Sequence, residues 1–295
     1  MCIRDRDGLD RLTIALGKGS EYDYRLLENP GEELRRLGRE VARLIISKGG
    51  ETVRNAVVSV YGSTSAFEDR LEETYPFSPS YLELLEEMVN QDIIQRTRGS
   101  INLTLAALSA IINGEYRWLA GDFMFIAPYH LPLHNSSLRS YLAKPSERGG
   151  QVLMTMYSSD VEEASEKTSR PELARIIAAY IWLRSILGRG VPEKAFLRFY
   201  PTLNDIVVAV YDPAVFSQLD LGAGAIGDVL GELYSYSNYM IILNNRYFMT
   251  QLLPIDELIQ RRIREISDIQ ALKKLYTVIE ELFALVKKTG RKEEK

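Results

Sequence analysis

Apolar residues recur at three- and four-residue intervals through most of this chain, interrupted by short polar or glycine-containing breaks. That period predicts amphipathic helices. Asn29 can cap the first and Pro30 stands at its first turn. Glu32 and Glu33 follow, and Leu34, Leu37, Val41, Leu44 and Ile45 share one face. Gly49 and Gly50 are expected to close it. The next stretch, 51–60, contains "AVVSVY", which is β-branched but short, so helix and strand stay open. Another helix starts at "FSPSYLELLEEMV", with Ser78 as cap, Pro79 at the first helical position, and Leu82, Leu85 and Val89 facing inward. After Asn90–Asp92 comes the helix carrying "RTRGSINLTLAALSAII". Taken from Thr97, it puts Arg98, Ile101, Leu105, Leu108 and Ile112 on one face, predicted to be the inward one.

From 113 to 150 the pattern breaks, because Pro128, Pro132, Pro145 and several glycines interrupt any long element. An irregular connector holding one short helix, 136–142, is predicted there. Helices over 158–168, 172–187 and 192–199 follow, and the second is apolar on nearly every side. "GAIGDVLGELYSYS" then gives a helix with Ile226, Val229, Leu230 and Leu233 inward. "YMIIL" and "RYFMT", joined by Asn244-Asn245, read as a β-hairpin, since asparagine tolerates the positive φ of such turns. A helix running into a hairpin suggests a winged helix. Helices over 254–266 and 269–288 precede a polar tail. The expected fold class is mostly α: a helical bundle at 7–112, the connector at 113–157, a winged-helix-like part at 158–267, and a C-terminal helix and tail at 268–295.

Composition narrows the function classes. In 295 residues, 46% hydrophobic and 26% charged with a net charge of −4, there is no general footprint for nucleic acid. The longest apolar runs are too short to span a bilayer, so no membrane role is expected and the cytoplasm is the default. "LGKGSE" holds Gly17-Lys18 but lacks the spacing of a phosphate-binding loop. His130 and His134 are four apart, yet Pro132 breaks the helical phase that would turn both toward a metal. They are expected to be surface or loop residues, and no metal site is expected.

"QRTRGS" at 95–100 is the unusual stretch. A cation at a helix N-terminus opposes the macrodipole by a few tenths of a kcal/mol, so Arg96 and Arg98 call for an anion nearby. Two readings remain open: an ion pair with Asp69, Glu72 or Glu73, or contact with the phosphates of a nucleotide in a neighbouring domain.

The opening "MCIRDR" matches the translation of a sequencing-library transposon end, so residues 1–6, with Cys2, are excluded from fold reasoning. The native chain is expected to extend upstream of Asp7.

"YPFSPSYLELL" followed by "QRTRGSINLTLAAL" resembles the signature of large AAA+ ATPases catalogued as domain-of-unknown-function family 499. An ATPase subunit of bacteriophage-exclusion systems is similar to these proteins. Tyr75, Pro76, Phe77 and Pro79 match the motif, as do Gln95, Arg96, Thr97, Arg98 and Gly99; Ser78 departs, standing where the family commonly has histidine. The resemblance implies that the Walker motifs, and so ATP and Mg, belong to an upstream ATPase core. It also implies that "QRTRG" lies in a helical lid carrying a nucleotide-sensing arginine. It leaves open which arginine; the helical phase favours Arg98. This chain alone would not be catalytic. Partners implied are the ATPase core, further copies in an oligomer, and DNA or protein at the winged helix. For DNA the cations available are Arg246 and the group Arg261, Arg262 and Arg264. A reading from another class is a stand-alone winged-helix adaptor or DNA-binding protein without ATPase activity.

Overall fold

α1 (Pro30–Tyr61) opens with the expected proline and acidic first turn, but Gly50 does not end it. With φ 62° and ψ −149° this glycine puts a kink in the helix, a conformation closed to residues with a Cβ. Segment 51–60 is therefore helix. Val53, Ala56 and Val57 are buried, and that burial outweighs the β preference of valine. In the first half Val41 and Ile45 face inward as expected, joined by Ala42 and Ile46, while Leu34, Leu37 and Leu44 are half-buried. The computed structural model describes residues 30–120, 122–144, 150–191 and 193–251, plus the helical residues Lys273, Leu275, Tyr276 and Ile279. Two units divide between Leu252 and Leu253, and all elements named below belong to the first. The expected helices at 254–266 and 269–288 otherwise lie outside the described residues, as do residues 1–6 and Gly17-Lys18.

α2 (Thr64–Thr74) folds back along α1. Ser63 caps it, its Oγ accepting the Ala66 N–H at 3.0 Å. α3 (Pro79–Asn90) is capped by Ser78, whose Oγ accepts the Tyr81 N–H at 3.2 Å. Its inward face is Tyr81, Leu84, Leu85 and Met88 rather than Leu82, Leu85 and Val89. The stacking of Phe77 on Tyr81, with ring centroids 5.5 Å apart, accompanies this turn of the helix. α4 (Arg96–Ile112) follows.

The connector at 113–150 has the expected short helix, α5 (Ser136–Ala143), and a 3-10 turn at Pro128–His130. Its irregular backbone runs through the core. Phe123, Phe125, Ile126, Tyr129, Leu131 and Leu133 are all buried. Backbone bonds that a helix would supply internally are made instead to "YPF": Ile126 N–H donates to Pro76 O and Ser78 N–H to Ile126 O, both at 2.9 Å, giving a parallel bridge between Phe77 and Ile126. The turn at Pro128–His130 touches α3 and α4 on one side.

α6 (Gly150–Met156) runs on into a π-helix, Tyr157–Glu163, and a last turn, Ala164–Glu166. α7 (Pro171–Leu187) is the central helix, buried almost all round as its sequence predicts. Trp182 in its middle is fully buried and donates Nε1–H to Leu153 O at 2.7 Å. The helix expected at 192–199 is only a 3-10 turn, Leu197–Phe199. The regular helix comes later: α8 (Leu203–Val210), with Thr202 and Asp205 forming a capping box. α8 packs on α1 and α7, and α9 (Pro213–Gln218) begins at the Asp212 cap.

α10 (Ala225–Tyr236) buries Ile226, Val229, Leu230 and Leu233, the four positions its pattern predicts. Glu232 on its outer side accepts Ser169 N–H and Oγ–H at 2.6 and 2.8 Å, fastening it to the start of α7. The hairpin is present: β1 (Met240–Leu243) pairs antiparallel with β2 (Arg246–Met249), Met240 opposite Met249 and Leu243 opposite Arg246. Asn244 and Asn245 both have positive φ, 52° and 60°, as a tight hairpin turn requires. Phe248 stacks on Tyr200 at 4.1 Å, and Ser185 Oγ of α7 accepts the Met249 N–H at 2.9 Å.

Candidate functional site

The "QRTRG" stretch sits where α4 leaves the body of the protein. Ile93 and Ile94 are buried just before it. Gln95 occupies the N-cap position without a side-chain capping bond. Gly99 is buried against this tuck: a Cβ there would stand 2.9 Å from Ile94 Cβ and 3.2 Å from the Tyr141 hydroxyl. The glycine of the motif thus permits close approach of helix to loop. Tyr75, Pro76, Phe77 and Pro79 serve the same region from below, joining α3 to the connector through the Phe77–Ile126 bridge. The Tyr75–Pro76 bond is cis.

α4 is turned opposite to expectation. Its inward face is Gly99, Leu103, Thr104, Ala107 and Ala110. The predicted inward stripe looks outward, with Ile101 37%, Leu105 57% and Ile112 37% exposed and Leu108 half-buried. The physical reason is the small residues: Gly99, Ala107 and Ala110 let the helix settle close to its neighbours, and the bulkier aliphatics are left over. Arg98 is in phase with the apolar stripe, as the spacing requires, but the stripe is uncovered.

Gln95, Arg96, Thr97 and Arg98 are all exposed. Among the described residues neither guanidinium has an ion-pair partner. The carboxylates proposed for Arg98 are engaged elsewhere: Glu72 and Asp69 with Arg39, Glu73 with Arg70. Ser100 Oγ–H donates to Arg96 O at 2.8 Å, tightening the first turn.

The two histidines part company. His134 is exposed, its Nε2 2.9 Å from the Glu115 carboxylate. His130, expected to be a surface or loop residue, lies in the connector's 3-10 turn but is fully buried among Tyr116, Phe123 and Tyr129. Its Nδ1 accepts the Ala127 N–H at 2.9 Å, and no described group bonds Nε2. Burial pushes its pKa down to about 3, against a smaller opposing effect of the Ala127 bond. Nearby lies another buried ionisable group that the sequence did not single out. Asp212 accepts Met124 N–H and Ala214 N–H at 2.8 Å, and burial lifts its pKa to about 6. Both residues are structural: each ties an irregular segment to the core. The only sequence signal for Asp212 is its place one residue before Pro213, a helix-cap position.

At the other end, Arg246, the first residue of β2 after the hairpin turn, donates to Tyr200 O. Arg261, Arg262 and Arg264 lie outside the described residues. No helix among the described residues is long and apolar enough to cross a membrane.

These features define a mostly helical protein with a small antiparallel hairpin and an exposed arginine-bearing helix end. Residues 34–249 match the family described as DUF499, second domain, and the chain belongs to the DUF499 family. No curated protein and no solved structure matches it.

Proposed function

We propose that this chain is the non-catalytic coupling part of an ATP-driven machine, in which α4 reads the nucleotide held by an upstream ATPase domain. One observation carries this reading. Arg96 and Arg98 project, with no ion-pair partner among the described residues, from the head of a helix whose outer face is an apolar stripe of Ile101, Leu105 and Ile112. An arginine that opposes the helix dipole and has no carboxylate to meet is suited to a phosphate brought by another domain. The stripe behind it would be the seat for that domain. That the family match is to a second domain fits a catalytic domain preceding it. ATP and Mg would be bound upstream, this chain would transmit the change as a rigid body, and the hairpin end would meet a protein or DNA substrate. A place in phage defence rests on family resemblance alone.

The test uses the full-length gene product. Arg98→Ala should lower ATP turnover by about tenfold or more, as loss of a charge-stabilising arginine does, and leave the melting temperature unchanged. Turnover equal to wild type in both Arg96→Ala and Arg98→Ala would remove the sensing role.

A further inference from the structure

The helix that begins as α6 changes its winding from Tyr157 to Glu163, where it is a π-helix and Ala164 N–H reaches Ser159 O, five residues back. Such stretches are rare and cluster at functional sites. Here the winding changes which residues are neighbours. At 3.6 residues per turn, positions five apart on an α-helix point about 140° from one another. On a π-helix, whose bonds join i to i+5, they lie side by side. Tyr157 and Glu162 are such a pair, and both line a cavity of about 500 Å3.

The rest of the wall combines aromatic rings with the aliphatic side chains of Leu131, Leu133, Ile176 and Ala179. Tyr116, Trp118 and Tyr129 line it, and the Arg175 guanidinium lies over the Trp118 ring at 5.2 Å. The charged groups at the rim already have partners. Glu115 meets His134 Nε2 at 2.9 Å, Glu162 lies 3.6 Å from Arg139, and Arg175 pairs with Glu166. The volume falls within the range of small-molecule pockets, about 300–1,000 Å3.

We propose that this cavity binds a flat, uncharged nitrogen heterocycle carrying N–H donors, of the size and kind of a nucleoside. Aromatic walls favour a ring that can stack on them. The Glu115 and Glu162 carboxylates disfavour a phosphate ester, and the guanidinium groups of Arg139 and Arg175 beside the rim weaken the attraction for a simple ammonium. A neutral ring with N–H donors and ring-nitrogen or carbonyl acceptors matches both kinds of group present: the Glu115 and Glu162 carboxylates accept, and Arg175 donates. Tyr116 and Tyr129 also carry buried hydroxyls that no described group bonds. A small turn of either ring toward the cavity would satisfy one on a ligand. None of the lining residues belongs to α4, so the site stands apart from Arg96 and Arg98.

The test is calorimetric titration of the chain with adenosine and, separately, guanosine, with choline chloride as the cationic control. At least one nucleoside should bind saturably. Trp118→Ala should weaken binding tenfold or more, and Glu162→Gln by about tenfold, the loss of one charge-assisted hydrogen bond. Trp118 is 41% exposed and Glu162 is exposed, so both variants should fold, with thermal melts as the check. Nucleoside binding should also quench tryptophan emission in the wild type and not in Trp118→Phe, because Trp182 is wholly buried. No binding of either nucleoside overturns the proposal. So does binding of choline in their place, or nucleoside binding that Trp118→Ala leaves unchanged.

Discussion

The Asp160 carboxylate accepts the backbone N–H of Met240 at 2.9 Å, linking the π-helix to the first residue of the hairpin. The same carboxylate takes the N–H groups of Asn238 and Tyr239, each at 2.9 Å, and the Ser159 hydroxyl at 3.0 Å. One fully buried side chain therefore satisfies three consecutive donors where α10 gives way to β1. Burial raises its pKa, while these bonds work the other way. Asp160→Ala leaves the three donors stranded and should cost about 3–5 kcal/mol of unfolding free energy. Urea denaturation reads this directly, and Asp160→Asn, which keeps one acceptor oxygen, should cost less. A loss under about 1 kcal/mol in the alanine variant would mean the hairpin is held mainly by Phe248 and Ser185.

The orientation of α4 can be read from two leucines two positions apart. Leu103 is buried and Leu105 is exposed. Leu103→Ala should cost about 2–5 kcal/mol, whereas Leu105→Ala should stay within about 0.5 kcal/mol. The reverse order of stabilities would place the aliphatic stripe in the core after all.

Gly99 pits two known effects against each other. Replacing glycine by alanine within a helix normally stabilises by about 1 kcal/mol. At this position the added methyl meets Ile94 at 2.9 Å and the Tyr141 hydroxyl at 3.2 Å, and overpacking of that kind costs about 1–3 kcal/mol. Gly99→Ala is expected to melt at a lower temperature than wild type. A higher melting temperature would show that the tuck yields easily.

His130 and Asp212 make opposite contributions to the pH dependence of stability. The folded pKa of His130 lies near 3, below its unfolded value of 6.5. Between those limits the unfolded chain binds the extra proton, so stability rises as pH rises from about 3 to 6.5, by about 4–5 kcal/mol in all. Asp212 is raised to about 6 from 3.8, so its contribution is present at low pH and is lost as pH rises through 6, about 3 kcal/mol. Between pH 4 and 6 the two slopes nearly cancel, so His130→Gln should turn a nearly level stability into one that falls by about 2 kcal/mol. Denaturant midpoints across that interval would check it; an unaltered slope would mean that the imidazole is protonated in the folded state.

Much of this fold was legible in the sequence because the decisive signals are local. The Ser78 cap with Pro79, the apolar quartet of α10 and the Asn244-Asn245 turn each involve residues a few positions apart, and each is present as read. The rest depended on distant partners. Residues 51–60 became helix because α2 and α8 pack against α1. Aliphatic size alone is a poor guide to the buried faces of α3 and α4. In α4 the small residues Gly99, Ala107 and Ala110 seek the core instead, a pattern that a hydrophobicity count scores weakly. The proline-containing stretch marks His130 as a surface or loop residue, and the sequence carries no sign that this loop is buried. Its burial reflects the backbone bonds that segment makes to "YPF". At the candidate site the spacing correctly tied Arg98 to Ile101 and Leu105, and what it could not reveal was which way that shared face looks.

The Phe77–Ile126 bridge has a kinetic corollary. It closes a loop that contains all of α3 and α4, and closing a long loop costs chain entropy before any contact rewards it. α1 and α2, consecutive and packed along each other, face no such delay. The first helical pair should thus gain amide protection early in refolding, and the arginine-bearing helix late, once the connector has been drawn through the interior to meet residue 77. The helix end best placed to meet another domain is in this sense among the last parts of the unit to become fixed.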